Sequence, residues 1–381
     1  MRIGVDTREL MGRPTGVGRY LGELLREWAD AQAGAAGRHE FLLYGPAAPS
    51  AASADVFAAL AATLRVVPGS GRTWWEQVSL ASAAAADRLD VFFAPAYTAP
   101  LRLGCPIATT IHDLSYFAHP EWFRARERFR RRLLTRQSAR RSRIVLTDSA
   151  FSRGEIVRHL AVAEDRVRVV PLGVRAPVTP EVRDAAGPAA GMIGGRPPGG
   201  QHQPLILFVG SIFNRRHVPE LLASFPAIAA AVPGARLEII GENRTYPHQD
   251  LDAHVRATGH GARIQVRSYV SEAQLADAFR RASVFVFLSE YEGFGLTALE
   301  ALACGIPVVL LDTPIAREVC GGAAKLIHAA DPAAVAAAVV DVLRDPGARE
   351  RARAESRDLP ERYSWARAAR LTMDALELAA R

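Results

Sequence analysis

The chain has 381 residues, of which 49% are hydrophobic and 23% are charged, and its formal net charge is +7. This length predicts two domains with sizeable cores, and the lack of an apolar run of roughly eighteen residues argues against a membrane-spanning helix. The cysteines Cys105, Cys304 and Cys320 have neither metal-ligand nor redox spacing, so we expect reduced thiols in a cytosolic protein.

Apolar runs alternate with helical patterns through the first half of the chain. Strands are predicted at residues 2–6, 41–44, 64–67, 91–94, 107–112, 144–147 and 167–170. Helices are predicted near residues 17–31, 74–87, 121–141 and 150–159, where apolar side chains recur at the helical period. This alternation predicts a doubly wound parallel sheet, which makes residues 1–175 an N-terminal Rossmann-like domain.

Residues 176–203 are mostly Ala, Pro and Gly and are interpreted as a linker or a flexible excursion. Strands are predicted again at 205–209, 237–240, 264–266, 284–288 and 308–311, with helices at 217–231, 271–281, 297–303 and 332–344. These elements predict a second Rossmann-like domain at 204–362. A last helix at 363–381 is expected to pack back on the N-terminal domain. We expect the two domains to face each other across a cleft, where ligands prefer to bind.

Much of the positive charge lies in one segment. Residues 119–143 contain ten arginines against Glu121 and Glu127, and Trp122, Phe123 and Phe129 are interleaved with them. As a helix over 121–141, this segment predicts a basic surface that lies on anionic lipid or faces phosphates. The alternative is a solvated surface helix. Nucleic-acid binding is not expected, because the segment has no base-stacking motif.

Two glutamates, Glu292 and Glu300, flank a glycine-broken turn between two predicted strands. In a parallel sheet such a turn lies at the carboxyl edge, where ligands bind. The free amides of the following helix suit a phosphate, and the carboxylates suit hydroxyls, so a sugar nucleotide is the first hypothesis. Thr297 and Glu300 also have capping-box spacing, which leaves helix capping as an alternative role for Glu300.

Three glycines, Gly12, Gly16 and Gly18, precede or open the helix after the first strand. Their spacing is not that of a dinucleotide fingerprint. Free amides at this helix start are compatible with a diphosphate, and the alternative is close packing against the sheet.

Polar residues also end two of the predicted strands. His112 is placed to donate to a substrate hydroxyl or to bind a developing charge, unless it merely ends its strand beside Asp113. Arg215 and Arg216 follow the strand at 205–209. Paired guanidiniums there can clamp a diphosphate, and the alternative is a solvated pair.

Several motifs together resemble one known family, the retaining glycosyltransferases of family four, which have the GT-B fold. The spacing Glu292-x7-Glu300 with Glu-Gly-Phe-Gly-Leu, followed by Cys-Gly-Ile-Pro-Val from Cys304, resembles the family's donor motif. Further resemblances are Gly-Val-Gly-Arg-Tyr from Gly16, Thr-Ile-His-Asp-Leu from Thr110, Thr-Asp-Ser-Ala-Phe-Ser from Thr147 and Val-Val-Pro-Leu-Gly-Val from Val169. The resemblance covers almost the whole chain.

The resemblance implies roles for individual residues. Glu300 would hold the donor ribose, Glu292 the donor sugar, and Arg215 and Arg216 the diphosphate. The other residues that it places near the donor are Gly16, Gly18, Ser211, Tyr269, Val270, Phe294, Gly295 and Leu296, with His112 facing the transferred sugar. Tyr269 and Val270 would lie near the base, and the amides of Phe294, Gly295 and Leu296 near the sugar and phosphates. Arg216 stands where the family usually has lysine. The planar guanidinium of arginine thus replaces the compact charge of a lysine ammonium.

The resulting expectation is a retaining, metal-independent hexosyltransferase without a cofactor. It would move a hexose, mannose first, from a nucleoside-diphosphate sugar, with GDP favoured, to a glycan or lipid-linked acceptor in cell-envelope polysaccharide synthesis. We expect a cytoplasmic enzyme held at the inner face of an anionic membrane through residues 121–141. The alternatives are a sugar-nucleotide epimerase of the same architecture and a non-catalytic sugar-nucleotide-binding protein.

Overall fold

A computed structural model of the chain describes residues 1–11, 16–33, 39–176 and 203–381. They form two compact units. The first unit comprises Met1–Pro120, Ala125–Gly173 and Tyr363–Arg381, and the second comprises Glu121–Arg124 and Val174–Arg362. Gly12 and nearly all of the predicted linker at 176–203 lie outside the described residues.

The sheet of the first unit has seven parallel strands. They are β1 (Arg2–Asp6), β2 (Glu40–Gly45), β3 (Thr63–Val66), β4 (Val91–Ala94), β5 (Ile107–Thr110), β6 (Ile144–Thr147) and β7 (Val167–Val169). Their order is β3-β2-β1-β4-β5-β6-β7, so the direction of winding reverses between β1 and β4. In such sheets ligands bind outside the carboxyl ends of the strands at the reversal.

Helices cover both faces of this sheet, as its continuous apolar strands require. They are α1 (Gly16–Ala33), α2 (Ala51–Ala59), α3 (Ala81–Ala86, after a π-helical turn at Trp75–Leu80), α4 (Ser115–Ala118), α5 (Ala125–Arg141), α6 (Ala150–Leu160) and the C-terminal helix (Trp365–Ala380). Short 3-10 turns lie at Arg8–Leu10, Pro120–Trp122 and Glu164–Arg166.

The basic helix starts later than the sequence indicated. The prediction was 121–141, whereas α5 begins at Ala125 and Pro120–Trp122 forms a separate 3-10 turn. Arg128 donates from Nη1 to the carbonyl of Pro120 at 2.8 Å, which ties this turn to the first turns of α5. The buried face of α5 consists of Thr135, Ser138 and Ala139, so its larger apolar side chains do not form its packing face.

The C-terminal helix belongs to the first unit, where it packs on α1. Trp28 donates from its indole nitrogen to the carbonyl of Ala369 at 3.0 Å. Trp365 is buried, and its ring and backbone nitrogen lie where a Cβ on Gly173 would have to be placed. A glycine at 173 therefore lets the chain pass directly over the start of this helix.

The sheet of the second unit has six parallel strands. They are β8 (Leu205–Val209), β9 (Arg236–Ile240), β10 (Ile264–Arg267), β11 (Ala282–Phe287), β12 (Val308–Leu311) and β13 (Ala324–Ile327). The order β10-β9-β8-β11-β12-β13 repeats the winding of the first six strands of the other sheet, with its reversal between β8 and β11. The predicted pair of doubly wound parallel sheets is confirmed.

The helices of the second unit are α7 (Val218–Ala231), α8 (Leu251–Ala257), α9 (Glu272–Arg281), α10 (Leu296–Ala303), α11 (Pro314–Cys320), α12 (Pro332–Arg344), α13 (Ala348–Glu355) and α14 (Leu359–Arg362). Further 3-10 turns lie at Asn214–Arg216, Gly261–Arg263 and Gly321–Ala323. The sequence analysis missed β13, a four-residue edge strand that carries the exposed Lys325. In the described ranges, no helix is long and apolar enough to span a bilayer.

We expect Gly173→Ala to destabilise the protein by about 1–3 kcal/mol, because the added methyl group overpacks the site against Trp365. The measurement is the free energy of unfolding from denaturant titration. Gly154→Ala in α6 is the matched control, since a Cβ there meets no atom within 4 Å and alanine favours the helix. Equal stability of both variants would contradict the packing of the C-terminal helix.

Candidate active site

The reversal point of the second sheet brings together two loops that the sequence analysis had singled out. β8 and β11 are hydrogen-bonded neighbours, so the chain segments that follow them lie side by side at the carboxyl edge. The segment after β8 contains Ser211, Arg215 and Arg216, and the segment after β11 contains Glu292. The backbone amide of Glu290 donates to the carbonyl of Arg215 at 2.9 Å and joins the two loops.

Arg216 is held in a single orientation by three groups. Its Nε lies 2.8 Å and its Nη2 2.7 Å from Oε1 of Glu292, and its Nη1 donates to the carbonyl of Ser211 at 2.7 Å. The guanidinium also lies over the ring of Phe287, 4.7 Å from its centroid. Two contacts to one carboxylate oxygen and a third to a backbone carbonyl fix the guanidinium better than a single contact does.

The backbone at Gly210 makes room for this arrangement. Its φ is +143°, and a Cβ at this position would lie 2.9 Å from Nη1 of Arg216. A larger residue would therefore be strained and would press on the guanidinium. Gly210 was not among the predicted site residues.

Glu292 accepts from more than one side. Ser289 donates to Oε1 at 2.7 Å, and Nε of Arg215 lies 3.9 Å from the same oxygen. All of these contacts involve Oε1 of Glu292. Ser289, which the sequence analysis did not select, therefore helps to orient the carboxylate.

Arg215 is buried, with 8% of its surface exposed, and its guanidinium lies 5.0 Å from the ring centroid of Phe213. Its Nε is buried, and within the described ranges it has no hydrogen-bond acceptor. A buried donor left without an acceptor costs about 1–3 kcal/mol, and charged groups cost more. An anion beside this guanidinium would remove that cost.

Helix α10 begins at the same edge with its amides uncapped. Gly295 is its N-cap, with φ +88° and no side-chain cap, and Phe294 just before it is buried. The first amides, from Leu296 onward, point out of the helix start and favour a negative charge.

The capping-box alternative for Glu300 is wrong. Because the helix starts at Leu296 with Gly295 as N-cap, Thr297 is already a helical residue and does not cap. Glu300 lies in the second turn of α10, with 2% of its surface exposed. Its carboxylate is therefore a buried polar group next to the site and not a cap.

Tyr269 and Val270 follow β10, the edge strand of the sheet, which lies two strands from β8. Tyr269 is 61% exposed and Val270 is half-buried. They lie at the same carboxyl edge of the sheet as Arg216 and Glu292, but at its outermost strand.

In the first unit, His112 follows β5 and Asp148 follows β6, which is paired with β5. Nδ1 of His112 lies 2.7 Å from Oδ2 of Asp148, and Nε2 lies 3.0 Å from the carbonyl oxygen of Pro95. A carbonyl oxygen only accepts, and so does an ionised carboxylate. With Asp148 ionised, both ring nitrogens act as donors, as in a protonated imidazole.

The surroundings of His112 favour this charged form. Burial opposes the charge, but Asp148, the carbonyl of Pro95 and Asp113 outweigh it and raise the pKa of His112. Burial raises the pKa of Asp148, and His112 opposes that shift. The ring of Tyr20 lies edge-on to the imidazole at 4.9 Å. Asp148 was not predicted as a site residue, although its place directly after a buried strand was the available signal.

Gly16 is the first residue of α1, and Gly18 is buried in its first turn. A Cβ at Gly16 would meet no atom within 4 Å among the described residues. Packing against the sheet therefore does not explain a glycine at 16, whereas Gly18 lies inside the packed part of the helix.

Comparison with protein-family models settles which family the chain represents. The model described as Glycosyltransferase Family 4 matches residues 14–176, and the model described as Glycosyl transferases group 1 matches residues 198–359. Together they cover most of both units. The chain belongs to these glycosyltransferases.

Relatives and solved structures agree with this family. The O-antigen chain mannosyltransferase B of Escherichia coli is 28% identical over 289 residues, which is 76% of this glycosyltransferase and 74% of the relative. HepE of Anabaena, crystallised with UDP and glucose, aligns over 99% of both chains with a TM-score of 0.71 at 16% identity. WaaG, a glycosyltransferase involved in lipopolysaccharide biosynthesis, aligns over 99% of both chains with a TM-score of 0.72 at 13% identity. The fold is therefore GT-B, as the resemblance implied.

We expect Asp148→Asn to lower the pKa of His112, because burial is then opposed only by the carbonyl of Pro95 and the charge of Asp113. Because the pKa is raised in the native glycosyltransferase, the stabilisation from the charged imidazole is complete below about pH 6.5. This stabilisation is lost as the pH rises through the raised pKa of His112. Breaking the buried pair should cost about 3–5 kcal/mol.

NMR titration of the imidazole and unfolding measured across pH would test this. Asp165→Asn, at an exposed position of the same unit, is the control and should leave both unchanged. A His112 pKa that is the same in Asp148→Asn and in the native protein would contradict the assignment of the pair.

Proposed function

We propose that this glycosyltransferase transfers a hexose, mannose first, from a nucleoside-diphosphate sugar to a hydroxyl of a glycan or lipid-linked acceptor, with retention at the anomeric carbon. The observation behind the proposal is the cluster of Arg215, Arg216 and Glu292 beside the uncapped start of α10. It combines cations and amides for a diphosphate with a carboxylate for sugar hydroxyls.

Arg215 and Arg216 have different tasks in this proposal. Arg216 is already neutralised in part by Glu292, so it mainly holds that carboxylate towards the sugar. Arg215, whose buried Nε lacks an acceptor among the described residues, supplies the less compensated charge for the diphosphate. Removal of Arg215 should therefore affect the leaving group more than the sugar.

The remaining predicted residues keep the roles that the family resemblance implies. Glu300 holds the ribose, Tyr269 and Val270 lie near the base, and the amides of Phe294, Gly295 and Leu296 face the sugar and phosphates. Ser211, Gly16 and Gly18 contribute backbone near the diphosphate. The resemblance also places His112 facing the transferred sugar. Both of its ring nitrogens are already engaged, with Asp148 and with the carbonyl of Pro95, so donation to a sugar hydroxyl requires Nε2 to exchange the Pro95 carbonyl for the sugar.

In the reaction, the bond between the anomeric carbon and the phosphate oxygen breaks, and the acceptor hydroxyl forms the new glycosidic bond on the same face of the sugar. The acceptor's proton passes to the departing diphosphate. The diphosphate gains negative charge as it leaves, and preorganised guanidiniums and amides stabilise that charge in the transition state. We propose that the arginines perform this task without a metal ion.

The choice of donor rests on the relatives. The E. coli relative is named for mannosyl transfer to an O-antigen chain, which supports mannose and an envelope polysaccharide. A structural neighbour was crystallised with UDP. GDP-mannose is therefore our first donor, and UDP-glucose is the second donor to test.

Peripheral binding to an anionic membrane through residues 121–141 is also part of the proposal. Phe129 and Leu133 of α5 are 70% and 48% exposed, and exposed arginines lie beside them. Several other arginines of this helix instead donate to carbonyls of the first unit, namely Arg128, Arg132, Arg136 and Arg141. Only part of the basic helix is thus available to the inner face of a membrane, so the proposed peripheral binding rests on its other arginines together with Phe129 and Leu133.

We expect one nucleoside-diphosphate sugar from a donor panel to raise the melting temperature, because a donor binds the folded site only. Arg215→Gln should lower kcat for transfer of that sugar by about 10²–10³-fold, because it removes a charge that the leaving diphosphate needs. Arg263→Gln, an exposed arginine of the same unit, is the matched control and should keep full activity.

Two results would overturn the proposal. Conversion of the donor into an epimer without any acceptor would show an epimerase. Donor binding without release of nucleotide, whatever acceptor glycan is added, would show a binding protein.

We expect transfer to continue at its full rate in excess EDTA. The arginines neutralise the negative charge of the departing diphosphate, which a metal ion would otherwise do. The measurement is nucleotide release with and without the chelator. Loss of activity that magnesium restores would contradict the metal-independent mechanism and leave the family assignment intact.

A further inference from the structure

A second polar site lies in the first unit, away from the residues discussed so far. It is a pocket of about 560 Å³ at the carboxyl edge of the first sheet. Arg8 follows β1 and Thr98 follows β4, so the pocket lies at the reversal of this sheet, where doubly wound folds bind ligands. The side chains that matter for its chemistry are Arg8, Arg72, Arg130, Arg131, Glu76 and Trp74.

The floor of the pocket is a buried charge cluster. Arg8 donates to Asp6 at 2.8 Å and to Glu76, and Thr98 donates to Oε1 of Glu76 at 2.6 Å. Burial opposes the charge on Arg8, but Asp6 and Glu76 outweigh it and raise the pKa of the guanidinium. Three charges are costly to bury even when they are paired. We therefore expect this fixed cluster of Arg8, Asp6 and Glu76 to support the binding of a ligand in the pocket above it.

The walls of the pocket are strongly basic. Arg72, Arg130 and Arg131 are exposed side chains around it. Arg131 also lies 2.7 Å from Oε1 of Glu127, and Arg8 is paired with Asp6 and Glu76. Arg72 and Arg130 therefore supply most of the uncompensated charge. Arg130 donates from Nη1 to Oγ1 of Thr73 at 2.7 Å, which holds α5 against the segment that carries Trp74. A concave surface with this charge attracts an anion, and guanidiniums suit the geometry of a phosphate.

Two large apolar side chains, Trp74 and Leu134, line the pocket beside its arginines. Trp74 is 74% exposed, and Leu134 is half-buried. Large exposed apolar side chains beside a polar pocket mark an interaction surface. The ligand should therefore join a charged group to a less polar portion such as a sugar ring or a lipid chain.

We propose that this pocket binds a phosphorylated acceptor, with the phosphate on Arg72, Arg130 and Arg131. The adjoining sugar would lay one face on Trp74. This inference deepens the proposed function, because it names the acceptor class as phosphate-bearing glycans or glycolipids. It also gives part of the basic helix a specific ligand.

The test is isothermal titration calorimetry of the full chain with mannose 1-phosphate, in the presence of saturating GDP to occupy a donor site. We expect saturable binding that is weakened at least about tenfold in Arg72→Gln/Arg130→Gln. Arg126→Gln, an exposed arginine of α5 that does not line the pocket, should stay within about twofold of the native protein. Trp74→Ala should weaken binding of the sugar phosphate but not of inorganic phosphate.

The remaining measurements distinguish a sugar phosphate from an uncharged sugar and from a lipid headgroup. Methyl mannoside, which has no charge, should bind at least about tenfold more weakly than mannose 1-phosphate. Vesicles of phosphatidylglycerol test a lipid headgroup in the same variants. Binding to vesicles alone, or binding of mannose 1-phosphate that is unchanged in Arg72→Gln/Arg130→Gln, would overturn the pocket. These readouts do not need turnover, so the pocket and the proposed transferase activity can fail independently.

Discussion

The constraint on which the structure depends is that every strand of each sheet runs parallel to its neighbours, with one reversal of winding per sheet. Parallel strands all end at the same edge, so loops that are far apart in the sequence meet there. Arg216 and Glu292 are 76 residues apart and still form an ion pair, because β8 and β11 are neighbours at a reversal. In the first unit, His112 likewise meets Asp148 because β5 and β6 are neighbours.

Each of these contacts buries charge, and each compensates it in a different way. Glu292 is matched by Arg216 and oriented by Ser289, and Asp148 is matched by His112. Such pairs contribute little net stability, since desolvation offsets most of the attraction. Their value is orientation, because a side chain held by two or three contacts does not need to reorganise when a ligand binds. Arg215 differs, since its buried Nε lacks an acceptor within the described ranges, and this is why we propose an anion beside it.

The arginines of helix α5 form one basic segment in the sequence but have two different roles in the structure. Arg132 and Arg136 donate to backbone carbonyls of the first unit, so they stabilise the fold. Arg130 and Arg131 instead line a pocket at the edge of the sheet. Arginine suits both tasks because its long stem packs on apolar surface while the guanidinium reaches polar groups. The count of arginines alone therefore overstated the charge that is open to a membrane surface.

The sequence by itself determined the two doubly wound sheets, because buried parallel strands read as continuous apolar runs between helical patterns. It also placed Arg215, Arg216, Glu292 and His112 after strands, since strand ends can be read locally. Only the tertiary structure decided their partners: Asp148 for His112, Ser289 for Glu292, and Gly295 as the cap that excluded the capping box. Partners depend on the order of strands in the sheet, which follows from packing between distant segments. No local pattern records that order, and for the same reason the pocket around Arg8 and Trp74 could not be read from the chain.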